Sequence, residues 1–192
     1  MPDTYAAKDY KHLLGLAGLS DALLMNHFAL YEGYVANSNK LIGLLESKEL
    51  GTPEYSELKR RLGWEWNGMR MHELYFGNMT KEANALGESM LKEKIVKTYG
   101  NFENWRKNFL GLGAMRGIGW VMLVHDAEKD ALFNIWINEH DMGHLAGATP
   151  LLVMDVFEHA FMLDYGLKKA DYIETFSRSI DWKTVAARLP NT

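Results

Sequence analysis

Leu23, Leu24, His27, Leu30, Tyr31, Tyr34 and Val35 recur at three- and four-residue steps behind Ser20, a residue suited to capping a helix start, and predict one long helix over 20–45. Leu50-Gly51-Thr52-Pro53 interrupts the chain, and a second helix follows over 55–78 with Met69, His72, Tyr75 and Phe76 on one side. Two such helices predict an antiparallel hairpin. Helical spacing continues over 81–99 and again over 102–110, up to Gly111-Leu112-Gly113. The pattern then changes. Residues 118–124 and 131–137 are β-branched and aromatic and flank the charged turn Asp126-Ala127-Glu128-Lys129-Asp130, which predicts a β-hairpin. Residues 150–154 read as a further strand leading into a helix that carries Asp155 and His159, and 172–188 as closing helix. The expected fold is α+β: an N-terminal antiparallel helical hairpin domain, 1–85, then a C-terminal domain, 86–192, with a small antiparallel sheet surrounded by helices.

Composition narrows the chemistry. The 192 residues are 47% hydrophobic with four prolines, enough for a substantial core and against disorder. A formal charge of −4 without a run of Lys or Arg excludes a nucleic-acid footprint. No cysteine means no disulfide, thiolate metal site or cysteine nucleophile, so any metal must sit on nitrogen and oxygen. Met1-Pro2-Asp3-Thr4-Tyr5 lacks signal-peptide character and no apolar run approaches a membrane span, so no membrane partner and a cytoplasmic location are expected.

Of seven histidines, His12 and His125 read as ordinary structural residues. His27 and His72 fall on the apolar faces of helices expected to meet, where an unpaired imidazole costs about 1–3 kcal/mol. Each is either satisfied by a backbone carbonyl or water, or a ligand. Asp155 and His159, at i and i+4 in Asp155-Val156-Phe157-Glu158-His159, are either a helical ion pair or two ligands on one turn; the apolar neighbours Val153, Val156, Phe157, Phe161 and Met162 favour the second. Together the four offer three neutral nitrogens and one carboxylate, a set for iron, manganese or zinc rather than calcium. His140 and His144 form another i, i+4 pair with a zinc-like spacing, weakened by the neighbouring Gly143 and Gly147.

These pieces resemble the iron/manganese superoxide dismutase family. The resemblance rests on Thr149-Pro150-Leu151-Leu152, Asp155-Val156-Phe157-Glu158-His159-Ala160-Phe161, Asp171-Tyr172-Ile173, Ile180-Asp181-Trp182, Gly119-Trp120, Leu123-Val124 and His72-Glu73-Leu74-Tyr75-Phe76, and it spans nearly the whole chain. It implies one iron or manganese ion per chain, iron preferred, on His27, His72, Asp155 and His159. It implies disproportionation of superoxide, with Tyr34 as a phenol beside the metal, Trp120 as an aromatic wall, Glu158 at the interface of a homodimer or dimer of dimers, and Lys169 steering the anion. The family's solvent-bonding residue lies either on the second helix, here Gly68 and too small to serve, or on the loop after the hairpin, here His140.

Some positions depart from the family. Its first ligand and gateway tyrosine stand eight residues apart, whereas His27 and Tyr34 are seven apart. Seven residues turn about 700°, nearly two full turns, so a regular helix aligns them and a family π-bulge is expected to be missing here. Leu30 or Tyr31 replaces a histidine, Phe157 a tryptophan, Met162 a tyrosine, Leu167 an asparagine and Lys169 an arginine. Two rival readings remain: a non-catalytic relative that binds without turnover, and a zinc hydrolase built on His140 and His144.

Overall fold

The computed structural model describes residues 4–82 and 84–190. The first three residues, read above for leader character, lie outside them.

Helix α1, Asp21–Glu46, starts where Ser20 accepts the N–H of Leu23, and α2, Pro53–Phe76, starts where Thr52 accepts the N–H of Tyr55. Every residue from 21 to 46 is α-helical, so His27 and Tyr34 share a face with no bulge between them, as the seven-residue step requires. The two helices pack side by side through Phe28, Tyr31, Tyr75 and Phe76.

The expected helix over 81–99 is shorter, α3 Met90–Tyr99, because the stretch before it pairs elsewhere. Met79 bridges Ile180, Thr80 donates to the carbonyl of Ser179, and Asn84 bonds Asp181, and helix begins only where Ser89 caps α3. The same pairing breaks the expected 172–188 helix into α6, Lys169–Arg178, and α7, Trp182–Ala187, the latter capped by Asp181. Helix α4 is Phe102–Gly113, and a single turn, α5, covers Met162–Tyr165.

Three antiparallel strands, β1 Gly119–Asp126, β2 Ala131–Asn138 and β3 Thr149–Asp155, form a sheet in the order β2-β1-β3. Trp120 pairs with Ile137 on one side and Asp155 on the other. The architecture is thus α+β, with two leading helices and a small sheet among helices. Asp155 departs from expectation: it ends a strand rather than opening a helix. The carbonyl of Gly119 takes the N–H of Val156, which extends the sheet one residue further, and His159 follows in a 3₁₀ turn, Glu158–Ala160.

Among the described residues no helix is long and apolar enough to cross a membrane.

Candidate metal centre

Four side chains converge between the helices and the sheet. His27 projects from α1, His72 from α2, Asp155 from the end of β3 and His159 from the turn beyond it, and one possible ligand atom from each lies within 4.8 Å of every other. Asp155 is fixed at both oxygens. Oδ1 accepts the N–H of Phe157 at 2.8 Å, while Oδ2 faces Nε2 of His27 at 3.2 Å, of His159 at 3.2 Å and of His72 at 3.7 Å. The bend at Phe157 and the 3₁₀ turn after it achieve what a helical turn was expected to do. Tyr172 reinforces it by donating to the Asp155 carbonyl at 2.7 Å.

His72 reveals what the cluster lacks. Its Nδ1 lies 2.6 Å from the carbonyl of Gly68, which can only accept, so Nδ1 carries the proton and Nε2 presents a lone pair. That buried Nε2 has no hydrogen-bond partner and faces the Asp155 carboxylate. A lone pair turned toward an anion repels it, and a cation between them removes the conflict. Burial holds the pKa of His27 and of His72 below the ordinary histidine value, so both imidazoles are neutral and ready to ligate. Burial alone would raise the Asp155 carboxyl, but the facing imidazoles of His159 and His27 outweigh it and hold it well below the usual range. The residues therefore fit a metal cation with nitrogen and carboxylate preference.

Beside the cluster stands a second chain of groups. The Trp120 indole N–H, which can only donate, points at His140 Nδ1 across 3.0 Å. The His140 proton is consequently on Nε2, which donates to Tyr34 Oη at 2.8 Å. The Tyr34 hydroxyl keeps its own proton for another acceptor. Its ring stacks on His72 with centroids 5.1 Å apart, beside the four ligand candidates. Burial lowers His140 to about 4 and raises Tyr34, so both are neutral near pH 7. Gly68 makes the stack feasible: a Cβ there would sit 2.6 Å from Tyr34 Cδ1.

The remaining predicted residues lie farther out. Glu158 is exposed and His159 partly so, with a 250 Å³ groove beside them lined by Leu23, Asn26, Met162 and Leu163. Lys169 Nζ donates to the Met115 carbonyl at 3.0 Å and lines a neighbouring groove with Arg116 and Glu158. His144 is no partner of His140 in a second metal pair, because its Nε2 bonds the His140 carbonyl at 2.9 Å while both ring nitrogens of His140 are engaged elsewhere. His125, expected to be ordinary, is buried and bonded to Asp130 at 2.9 Å. Tyr31 turns away from the surface and donates to buried Glu73.

Residues 87–188 match the family described as iron/manganese superoxide dismutases, C-terminal domain. A superoxide dismutase [Fe] of Cupriavidus metallidurans is 34% identical over 180 residues, covering 90% of this chain and 89% of its own. The chain belongs to the iron/manganese superoxide dismutase family. A superoxide dismutase [Mn] 2 of Haloferax volcanii is 33% identical, covering 86% of this chain and 84% of its own, and a superoxide dismutase [Fe] of Aquifex pyrophilus 33%, covering 94% and 89%. Relatives named for either metal thus align along most of the chain.

Sequence reasoning missed Trp64, whose ring lies 4.4 Å from His140, and Asn78, which bonds both N–H and C=O of Val153 on β3. Trp64 had a signal: 64, 68 and 72 step by four along one helix face. Asn78 had none, since only the folded arrangement brings β3 beside it.

Proposed function

We propose that this protein is a superoxide dismutase, holding one iron or manganese ion on His27, His72, Asp155 and His159. The observation that carries the reading is the partnerless Nε2 of buried His72, aimed with its lone pair at the Asp155 carboxylate. When bound, the ion would supply the one-electron exchange by which two superoxide anions and two protons become dioxygen and hydrogen peroxide.

The protein's own part is proton delivery, exclusion and orientation. Trp120 fixes the tautomer of His140, His140 donates to Tyr34, and the Tyr34 hydroxyl is thereby oriented to donate onward toward the ligand cluster. Gly68 leaves room for the Tyr34 ring, and the walls of Trp120, Tyr75 and Phe76 keep bulk solvent from the buried imidazoles. The substrate is an anion and the chain carries −4, so recruitment falls to local cations, and Lys169 beside Arg116 is the proposed contributor.

A homodimer is proposed through the face around Glu158. Exposed Glu158 and partly exposed His159 line a groove with Met162 and Leu163, exposed apolar side chains that a second copy would cover. Pulse radiolysis on the purified protein, with elemental analysis of the same sample, tests the function. Accelerated superoxide decay proportional to bound iron or manganese is expected; a fully metallated protein that leaves the decay at its uncatalysed rate overturns the reading in favour of a non-catalytic relative.

A further inference from the structure

The loop that delivers His140 is held in an unusual shape. Asn138 and Met142 exchange backbone hydrogen bonds of 2.8 and 3.3 Å, closing a tight turn over Glu139, His140 and Asp141. Glu139 occupies the left-handed region at φ +49°, unusual for a residue with a side chain, and such a conformation persists only where its surroundings impose it. Two contacts do so. The Glu139 N–H donates to the Ile118 carbonyl at 3.3 Å, and its carboxylate Oε2 accepts the indole N–H of Trp64 at 3.1 Å.

Trp64 is itself clamped. One neighbour is the His140 imidazole, set edge-on at 4.4 Å between centroids. Another is the Arg61 guanidinium, 3.9 Å from the ring centre, which is tied to Glu65 by contacts of 2.7 and 2.8 Å. Glu65 is almost fully buried and also accepts from Asn37 on α1 at 3.3 Å. Asn37 lies three residues beyond Tyr34 on α1, so the contacts close a ring: Tyr34, His140, Glu139, Trp64, Arg61, Glu65, Asn37 and back along α1. Parts of α1, α2 and the loop after β2 are locked to one another, and the ring meets the ligand candidates through the stack of Tyr34 on His72.

We infer that Trp64 is a positioning residue for His140, its bond to Glu139 holding the loop in the single pose that lets His140 accept from Trp120 and donate to Tyr34 at once. Both His140 bonds need the same ring orientation, and rotation about the Glu139 backbone breaks at least one. The inference rests on the proposed dismutase reading for its consequence in turnover, and on geometry alone for the loop.

The test uses the metal-loaded protein with three variants. Trp64→Phe keeps an aromatic ring and removes the N–H, Glu139→Ala removes the acceptor, and Glu139→Gln keeps an amide oxygen in its place. Amide hydrogen exchange over 138–142, bound metal and the pH profile of turnover are followed together. Trp64→Phe and Glu139→Ala are expected to speed loop exchange and lower turnover about fivefold with a displaced pH profile and unchanged metal, the effect of losing one hydrogen bond, while Glu139→Gln stays near wild type. Wild-type loop exchange in Trp64→Phe overturns the inference, as does wild-type turnover with an unaltered pH profile. A metallated but inactive wild type would overturn the functional reading instead, and the exchange result would still decide whether Trp64 holds the loop.

Discussion

Tyr34 lies against the backbone of Gly68 so closely that a methyl group at position 68 would come within 2.6 Å of its ring. Alanine in an exposed helix interior normally stabilises by about 1 kcal/mol over glycine. Here the sign reverses, because the ring is also held by His72, Trp64 and His140 and cannot step aside. Gly68→Ala should destabilise by about 1–3 kcal/mol in denaturant unfolding and lengthen the Tyr34–His140 bond in a crystal structure. An unchanged or raised unfolding midpoint would contradict the packing account.

His159→Ala removes one nitrogen of the proposed site and leaves Asp155 without one of its facing imidazoles. Bound iron or manganese should be lost, and with it the stabilisation that ligand linkage supplies, about 2.7 kcal/mol when free metal is a hundredfold above its dissociation constant. Chelator should then lower the melting temperature of the wild type but not of the variant. Elemental analysis of the purified variant checks the first point and paired thermal scans the second.

His140→Gln keeps a side chain able to reach Tyr34 but loses the titrating imidazole. Metal content should stay and turnover should fall, as pulse radiolysis would report. The acid limb of stability should change as well. The folded His140 pKa, about 4, lies below the ordinary value of 6.5, so between these pH values the unfolded chain binds the extra proton and stability drops as pH falls through that window. Removing the histidine should flatten that limb of the metal-free protein by about 2 kcal/mol between pH 6.5 and 4. Superimposable stability profiles for variant and wild type would refute the buried neutral imidazole.

Asn78→Ala tests the bridge between the two ligand-bearing parts. Asn78 donates to the carbonyls of Tyr75 and Val153 at 2.8 and 3.2 Å, and accepts from the Val153 N–H at 2.9 Å and from Arg188 at 3.3 Å. It stands six residues after His72 and faces β3 two residues before Asp155. Leaving these buried groups unpaired should cost about 2–4 kcal/mol and weaken metal binding, measurable by calorimetric titration of the metal-free variant. Metal affinity equal to wild type would show that the bridge supports the fold without aligning the ligands.

Much of this was readable from the chain. The two leading helices follow from the spacing of apolar residues, with Ser20 as the cap of the first and Leu50-Gly51-Thr52-Pro53 as the break before the second, and the β-hairpin from β-branched runs around a charged turn. The gathering of His27, His72, Asp155 and His159 was anticipated, but Asp155 and His159 for a partly wrong reason. Four residues bring two side chains together on a helix, and a strand end followed by a 3₁₀ turn does so as well; only pairing with Gly119 and Trp120 separates the two. The bridge from Met79 to Ile180 was hidden because the two lie about a hundred residues apart. Neither the left-handed backbone of Glu139 nor its bond to Trp64 leaves a local mark in the sequence.

The ends of the sheet and of the hairpin also set an order of events. His27 and His72 belong to helices stabilised by neighbouring sequence, whereas the carboxylate is placed only when β3 docks on β1, about 80 residues further along the chain. At a synthesis rate of about 5–20 residues per second, the two imidazoles are present for several seconds before Asp155 has been made. A cation meeting the young chain finds two neutral nitrogens and no anion, a weak and undiscriminating grip. On the proposed reading, firm retention of a metal waits for the last strand, and the sheet sets when the site is complete.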